Sequence, residues 1–243
     1  MNQMYTPPLT RINKFIIIIH VGLFLINAIL GQTTGINLVN LLGLSLGGIK
    51  SGLVFQFVTF PFIEANFLSA LFNSLILWFI GSELEQKWTE TFYLKFLLIS
   101  SIGAGVIYII LASLLGGSFN AIPVYGISGM TFALLIAYGI IFSERQLTFM
   151  LLFPMKAKYF CMLLVGIELY MGIFSPYGKA AWAHLFSMLI GFIYLKQKSL
   201  KAQGRGFGDF IKDKQRQKQK SKFSVLSGGK DDDKDGKPPK YWQ

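Results

Sequence analysis

Six apolar stretches recur along this 243-residue chain, and they constrain its fold more than any other feature. They lie at about residues 15–31, 67–82, 96–115, 128–142, 159–175 and 180–195. A helix needs roughly 17–25 residues to cross about 30 Å of hydrocarbon, and backbone polar groups inside a bilayer must find partners within the protein. Only 14% of the residues are charged, against about a quarter in soluble domains. We therefore expect an all-α, polytopic membrane helix bundle with six transmembrane helices.

The charged residues separate a membrane domain from a basic tail. Residues 1–195 hold nine Lys or Arg and six Glu, whereas residues 196–243 hold fourteen Lys or Arg and six Asp. We expect a cytoplasmic N-terminus at 1–13, a membrane domain at 14–197 and a disordered cytoplasmic tail at 198–243. The tail's charge fits the positive-inside rule or attraction to anionic lipid in the bilayer. It does not indicate a nucleic-acid-binding surface on a folded domain.

The loops alternate in positive charge along the chain. Those on one side carry Arg11, Lys14, Lys87, Lys95, Arg145, Lys156 and Lys158, and those on the other side carry only Lys50 and Lys179. Because Lys and Arg are enriched in cytoplasmic loops, both termini are predicted to be cytoplasmic. One Cys and two His exclude a disulfide framework, a thiolate metal cluster and the usual zinc-protease motif. The sequence predicts no metal and no cofactor.

A serine begins the fourth apolar stretch, between two glycines, in Gly126-Ile127-Ser128-Gly129. A lone Ser at a helix start is most often an N-cap, but Gly126 permits an unusual backbone conformation beside it. The stretch is short, so we expect the loop at 116–123 to enter the membrane and deliver Ser128 below the surface. Irregular backbone at that depth is tolerated only where protein or a water-filled cavity satisfies it.

A histidine lies near the start of the sixth stretch, where His184, Ser187 and Gly191 share one helical face. Small residues on that face allow a close approach to the fourth helix, which would bring His184 within hydrogen-bond reach of Ser128. Alone, such a histidine is more often a buried hydrogen-bonded residue. Asn73 in the second stretch has two readings as well: an interhelical hydrogen bond or an amide donor to an oxyanion. Ser69 shares its face.

Together these residues resemble a family, the rhomboid intramembrane serine proteases of the bacterial six-helix type. The resemblance covers roughly residues 10–197 and rests on three motifs in order. They are Leu71-Phe72-Asn73 leading to Gly81-Ser82-Glu83-Leu84-Glu85, Gly126-Ile127-Ser128-Gly129, and Ala183-His184-Leu185-Phe186-Ser187-Met188-Leu189-Ile190-Gly191. It implies a bacterial inner membrane protein that cleaves transmembrane segments of other membrane proteins.

By that resemblance Ser128 is the nucleophile and His184 the general base, with no third member. Asn73 and the backbone N–H of Ser128 would line the oxyanion hole near Gly126. Glu85 would be structural, and the second and fifth helices would form a lateral gate. The chain departs from the family pattern at four places. Ser69 replaces a histidine, and Phe132 replaces a tyrosine that stacks on the catalytic histidine. Ser187 replaces a glycine, and Phe55-Gln56 replaces a Trp-Arg pair.

Alternatives to the protease remain open. A rhomboid-like protein that is catalytically weak or inactive and binds membrane clients is favoured by Ser69. A small transporter would require internal repeats and charged residues within the spans. The sequence shows no internal repeat and few such charges. Glu168, a carboxyl group within the fifth stretch, is a functional hypothesis by its position in the membrane, or it faces a water-filled cavity.

Overall fold

The computed structural model describes residues 7–116, 123–149, 153–175 and 178–202. The helices are α1 (Arg11–Thr33), α2 (Leu38–Leu42), α3 (Leu46–Lys50), α4 (Gln56–Thr59), α5 (Phe67–Ile76), α6 (Ser82–Lys87), α7 (Glu90–Leu115), α8 (Ser128–Ile141), α9 (Ala157–Phe174) and α10 (Lys179–Ala202). One turn of π-helix, Leu77–Gly81, joins α5 to α6. The chain divides into two compact units, Met1–Lys196 and Gln197–Gln243, and the candidate site lies in the first.

Every apolar stretch predicted from the sequence coincides with a helix, and the membrane helix bundle is confirmed. Among the described residues, four helices are long and apolar enough to cross a membrane: Arg11–Thr33, Phe67–Lys87, Glu90–Leu114 and Ala157–Phe174. The apolar helix α8 has only 14 residues, which corresponds to about 21 Å of helix. Helix α10 does not belong to the four, so the number of six spans stays a prediction.

Helix α8 is the centre of the bundle. Eight of its fourteen residues are buried, so it packs against protein on most of its surface and needs no polar face. Its core residues Met130, Ala133, Leu134 and Ala137 form one cluster with side chains of α1, the α5–α6 segment and α7, among them Ile12, Ile16, Leu77, Phe96 and Leu97. This central position holds Ser128, the first residue of α8, inside the bundle.

Glu85 caps the N-terminus of α1, as expected for a structural carboxylate. Its side chain accepts hydrogen bonds from the backbone N–H groups of Ile12 (3.1 Å) and Asn13 (3.2 Å). It also accepts one from the Asn13 amide at 2.8 Å and one from the Thr10 hydroxyl. The first N–H groups of a helix have no intrahelical acceptor, and a carboxylate there is favoured by the helix dipole. The contact ties α1 to α6.

The segment between α1 and α5 forms three short helices, α2 to α4, held by polar contacts. Leu44 and Val124 exchange backbone hydrogen bonds of 2.8 Å, which fasten this segment to the chain just before α8. Gln56 is fully buried; its amide donates to Leu41 O at 3.1 Å and accepts from Ser45 N at 3.2 Å. The buried Gln56 side chain therefore links parts of this segment by hydrogen bonds. The rhomboid resemblance has an arginine at this position.

Between α8 and α9 the chain forms a small antiparallel hairpin, β1 (Gln146–Phe149) and β2 (Phe153–Lys156). Gln146 pairs with Lys156 and Phe149 with Phe153. The all-α expectation did not include these strands. The predicted membrane-entering loop falls largely on residues 117–122 and most of the predicted tail on residues 203–243, all of which lie outside the described residues.

Candidate active site

The backbone before α8 has the conformation that the glycine at 126 permits. Gly126 has φ of +108°, a region that residues with a side chain rarely adopt. Its N–H donates to Phe60 O at 3.0 Å. This bend directs the chain into α8, so that Ser128 begins the helix. The N–H groups of this first turn have no intrahelical acceptor and lie at the positive end of the helix dipole.

Asn73 connects α5 to the serine. Its Nδ2 donates to Ser128 Oγ at 3.0 Å and to Ser69 Oγ at 3.1 Å. Its Oδ1 accepts a hydrogen bond from the Thr131 hydroxyl at 2.8 Å. A side-chain amide has two N–H donors, and both are in use here while the oxygen is held by α8. The amide is therefore fixed in orientation, with one N–H directed at the Ser128 hydroxyl.

Ser69, which accepts a hydrogen bond from Asn73, is also hydrogen-bonded to a carboxylate. Its hydroxyl donates to Glu64 Oε2 at 2.7 Å. Glu64 is only 3% exposed, and its Oε1 accepts from the N–H groups of Ala65 (2.9 Å) and Asn66 (3.1 Å). A hydroxyl has one proton, so Ser69 cannot donate to an oxyanion while it donates to Glu64. In this arrangement it orients Asn73 instead of replacing the missing histidine as a donor.

His184 lies between an aromatic ring and an acid. The Phe132 ring stacks on the imidazole with centroids 4.8 Å apart and planes inclined by 23°. Nδ1 lies 3.1 Å from Glu168 Oε2 on α9. Phe132 thus occupies the stacking position that the resemblance gives to a tyrosine. Nε2 has no hydrogen-bond partner among the described residues.

The close packing predicted between α8 and α10 is present. Ser187 Oγ donates to Gly129 O at 2.6 Å, and a Cβ on Gly129 would lie 3.6 Å from the Ser187 side chain. A Cβ on Gly191 would meet Ala133 at 3.2 Å. Ser187 therefore fits this interface through its hydrogen bond, although the family pattern has a glycine there.

Ser128 and His184 are not hydrogen-bonded to each other in the described structure. Ser128 Oγ accepts from Asn73 instead. His184 lines a small pocket together with Gly126 and Gly129, which flank Ile127 and Ser128 in the sequence. The other lining residues are Phe60, Ser101, Ala104, Val124, Tyr125 and Ala183. No group of three or more His, Cys, Asp or Glu that could hold a metal ion occurs among the described residues.

A model of a eukaryotic integral membrane protein family, DUF1751, matches residues 14–219. The chain belongs to this family. The chain is therefore an integral membrane protein, and its resemblance to the bacterial rhomboid proteases stays a prediction. No curated protein matches the sequence.

Membership of DUF1751 does not test the predictions of a protease activity and of a catalytic dyad. The family description names no activity. It describes eukaryotic proteins, which counts against the bacterial inner membrane. The orientation in the membrane, the division into domains and the roles of the site residues stay predictions.

Three residues of the site were not given a role by the sequence. Thr131 follows Ser128 by one helical turn and faces Asn73. Glu64 lies in the loop before α5, where nothing in the local pattern marks it. Glu168 was noticed as a carboxyl group in an apolar helix, but only the pairing of α9 with α10 shows that it meets His184.

Proposed function

We propose that this chain is an intramembrane serine endopeptidase that cleaves transmembrane segments of membrane proteins. The observation that carries the proposal is the contact between the Asn73 amide and Ser128 Oγ at 3.0 Å, with the amide fixed from its other side by Thr131. A preorganised donor beside a serine at a helix N-terminus is what an oxyanion requires. His184, which lines the small pocket beside Gly126 and Gly129, is the proposed proton acceptor.

In the proposed reaction, Ser128 Oγ leaves Asn73 and attacks a peptide carbonyl carbon while His184 Nε2 takes its proton. The carbonyl oxygen becomes an oxyanion and accepts from the Asn73 Nδ2–H and from the Ser128 backbone N–H. Collapse of this intermediate breaks the C–N bond, and the imidazolium returns its proton to the leaving amine. Water then attacks the acyl-enzyme with His184 again as the base.

Substrate helices must unwind locally, because an intact helix keeps its carbonyl groups in internal hydrogen bonds. Helices α5 and α9 both pack against α8 but are not in extensive contact with each other. Their outer faces expose large apolar side chains, among them Phe67, Leu68, Met162 and Tyr170. These two helices are the proposed lateral entrance for a transmembrane substrate.

A second candidate is a rhomboid-like protein that binds membrane clients without cleaving them. The Glu64 carboxylate favours it, because the charge lies three hydrogen bonds from Ser128 through Ser69 and Asn73. A buried negative charge near an oxyanion opposes its formation. The hydrogen bond between Ser128 and His184 that catalysis needs is also not formed in the described structure.

The test is cleavage of a model transmembrane substrate carrying helix-breaking residues, with the full chain in liposomes. Ser128→Ala and His184→Ala should each abolish cleavage, and a fluorophosphonate probe should label wild type at Ser128 and leave Ser128→Ala unlabelled. Ser74→Ala is the matched control, since Ser74 Oγ is buried without a hydrogen-bond partner among the described residues. Cleavage that survives either dyad substitution contradicts the proposal. Client binding by a wild-type chain that neither cleaves nor reacts with the probe supports the second candidate.

A further inference from the structure

Glu168 is an acid in a place where a carboxyl group is costly. It lies in the fourth turn of α9, as the only Asp or Glu of that helix, and its side chain is 13% exposed. Ionisable groups inside membrane segments are rare and are usually paired. Its hydrogen-bonding partner is His184 Nδ1, at 3.1 Å.

A second contact, one helical turn further along α9, holds this pair together. The indole N–H of Trp182 donates to Gly172 O at 3.0 Å. A Cβ on Gly172 would lie 3.2 Å from that indole nitrogen, which is tighter than an ordinary van der Waals contact, so the glycine favours this approach. Gly172 follows Glu168 by four residues and Trp182 precedes His184 by two. The contact between Glu168 and His184 is therefore supported by a close approach of the two helices.

The other surroundings of His184 fix the plane of its ring but not its tautomer. Phe132 stacks on the face of the imidazole and offers no hydrogen-bond acceptor. Glu168 Oε2 is the acceptor that determines which nitrogen carries the proton of neutral imidazole. With Nδ1–H donated to Glu168, Nε2 is left with a lone pair for the Ser128 proton.

We infer that Glu168 is a positioning residue that extends the Ser128–His184 dyad to an acid–base–nucleophile triad. It fixes the Nδ1–H tautomer and stabilises the imidazolium that forms when Ser128 gives up its proton, as a buried acid does for the histidine of serine proteases. The inference rests on the proposed function. It departs from the resemblance, which implies a dyad without a third member.

The kinetic test uses Glu168→Gln, which keeps the volume of the side chain and removes the ionised acceptor, and Glu168→Ala. Both should lower kcat at least about tenfold with KM within about twofold, since the lost interaction strengthens in the transition state. Glu144→Gln is the matched control, because Glu144 lies in an exposed turn and pairs with Lys156 and Lys158. A kcat within twofold of wild type in both Glu168 variants, in an otherwise active chain, overturns the inference.

A spectroscopic test does not depend on activity. The chain has two histidines, so ring-¹⁵N labelling gives two pairs of imidazole signals, and the pair lost in His184→Ala belongs to His184. At alkaline pH, wild type should show protonated Nδ1 and bare Nε2, and Glu168→Ala should shift His184 towards the other tautomer. An unchanged tautomer in Glu168→Ala overturns the inference even if the enzyme works. The expected shift in a chain without hydrolytic activity supports the positioning role of Glu168 and contradicts the proposed function alone.

Discussion

Replacing Glu64 with glutamine should raise the proteolytic rate. The Glu64 carboxylate accepts hydrogen bonds from Ala65 N, Asn66 N and Ser69 Oγ, which is the pattern of an ionised carboxylate because it can only accept. It lies behind the oxyanion donor Asn73, two hydrogen bonds of 2.7 and 3.1 Å away. Its negative charge therefore opposes the charge that develops in the transition state.

The size of this effect follows from the distance. An oxyanion held by Asn73 would lie roughly 7 Å from the Glu64 charge, where two like charges repel by about 2 kcal/mol at an effective dielectric constant of ~20. That energy corresponds to roughly thirtyfold in rate. Glutamine can also donate from its amide to Ser69 Oγ, which would free the Ser69 hydroxyl proton for a further hydrogen bond.

We therefore expect kcat of Glu64→Gln to rise roughly tenfold to thirtyfold, measured with the transmembrane substrate in liposomes. Glu144→Gln, which removes a carboxylate far along the chain in an exposed turn, should leave the rate unchanged. Circular dichroism and thermal unfolding in detergent check that the Glu64 variant is folded. A folded Glu64→Gln chain with an unchanged or lower kcat would refute the electrostatic reasoning.

Two further substitutions test the site and its scaffold. Asn73→Ala should lower kcat/KM by about 10²–10³, the usual cost of one oxyanion donor; a wild-type value in the same liposome assay would mean that the oxyanion is held elsewhere. Glu85→Gln should lower the free energy of unfolding by about 1–3 kcal/mol, because the Glu85 carboxylate accepts hydrogen bonds from the first N–H groups of α1. An unchanged unfolding midpoint in detergent would contradict the capping role.

The sequence predicted the parts of the site that depend on local spacing. Ser187 and Gly191 share a helical face with His184 because of the helical repeat, and the structure places that face against Gly129 and Ala133 of α8. Similarly, the glycine at 126 indicated an unusual backbone beside Ser128, which its φ of +108° confirms.

The remaining features of the site depend on contacts between segments that are distant in the sequence, and local sequence patterns do not predict such contacts. Nothing near Glu64 or Glu168 in the sequence indicates that one faces Ser69 and the other His184, since both contacts join separate segments of the chain. Ser69 replaces a histidine of the resemblance, and its residue type alone allows the hydroxyl to donate to an oxyanion. The direction of its proton, towards Glu64, decides otherwise, and that direction is a property of the folded loop before α5.

The residues of the proposed mechanism lie on the core helix α8 and on helices that contact it. Asn73 is on α5, Ser128 begins α8, and Glu168 reaches His184 from α9. A transmembrane substrate that enters between α5 and α9 would press on the two helices that carry the oxyanion donor and the positioning acid. Because α8 is buried on most of its surface, we expect it to stay in place while its neighbours move. Substrate entry would then also adjust Asn73 and His184 relative to Ser128, and the hydrogen bond between Ser128 and His184 would form when a substrate is present.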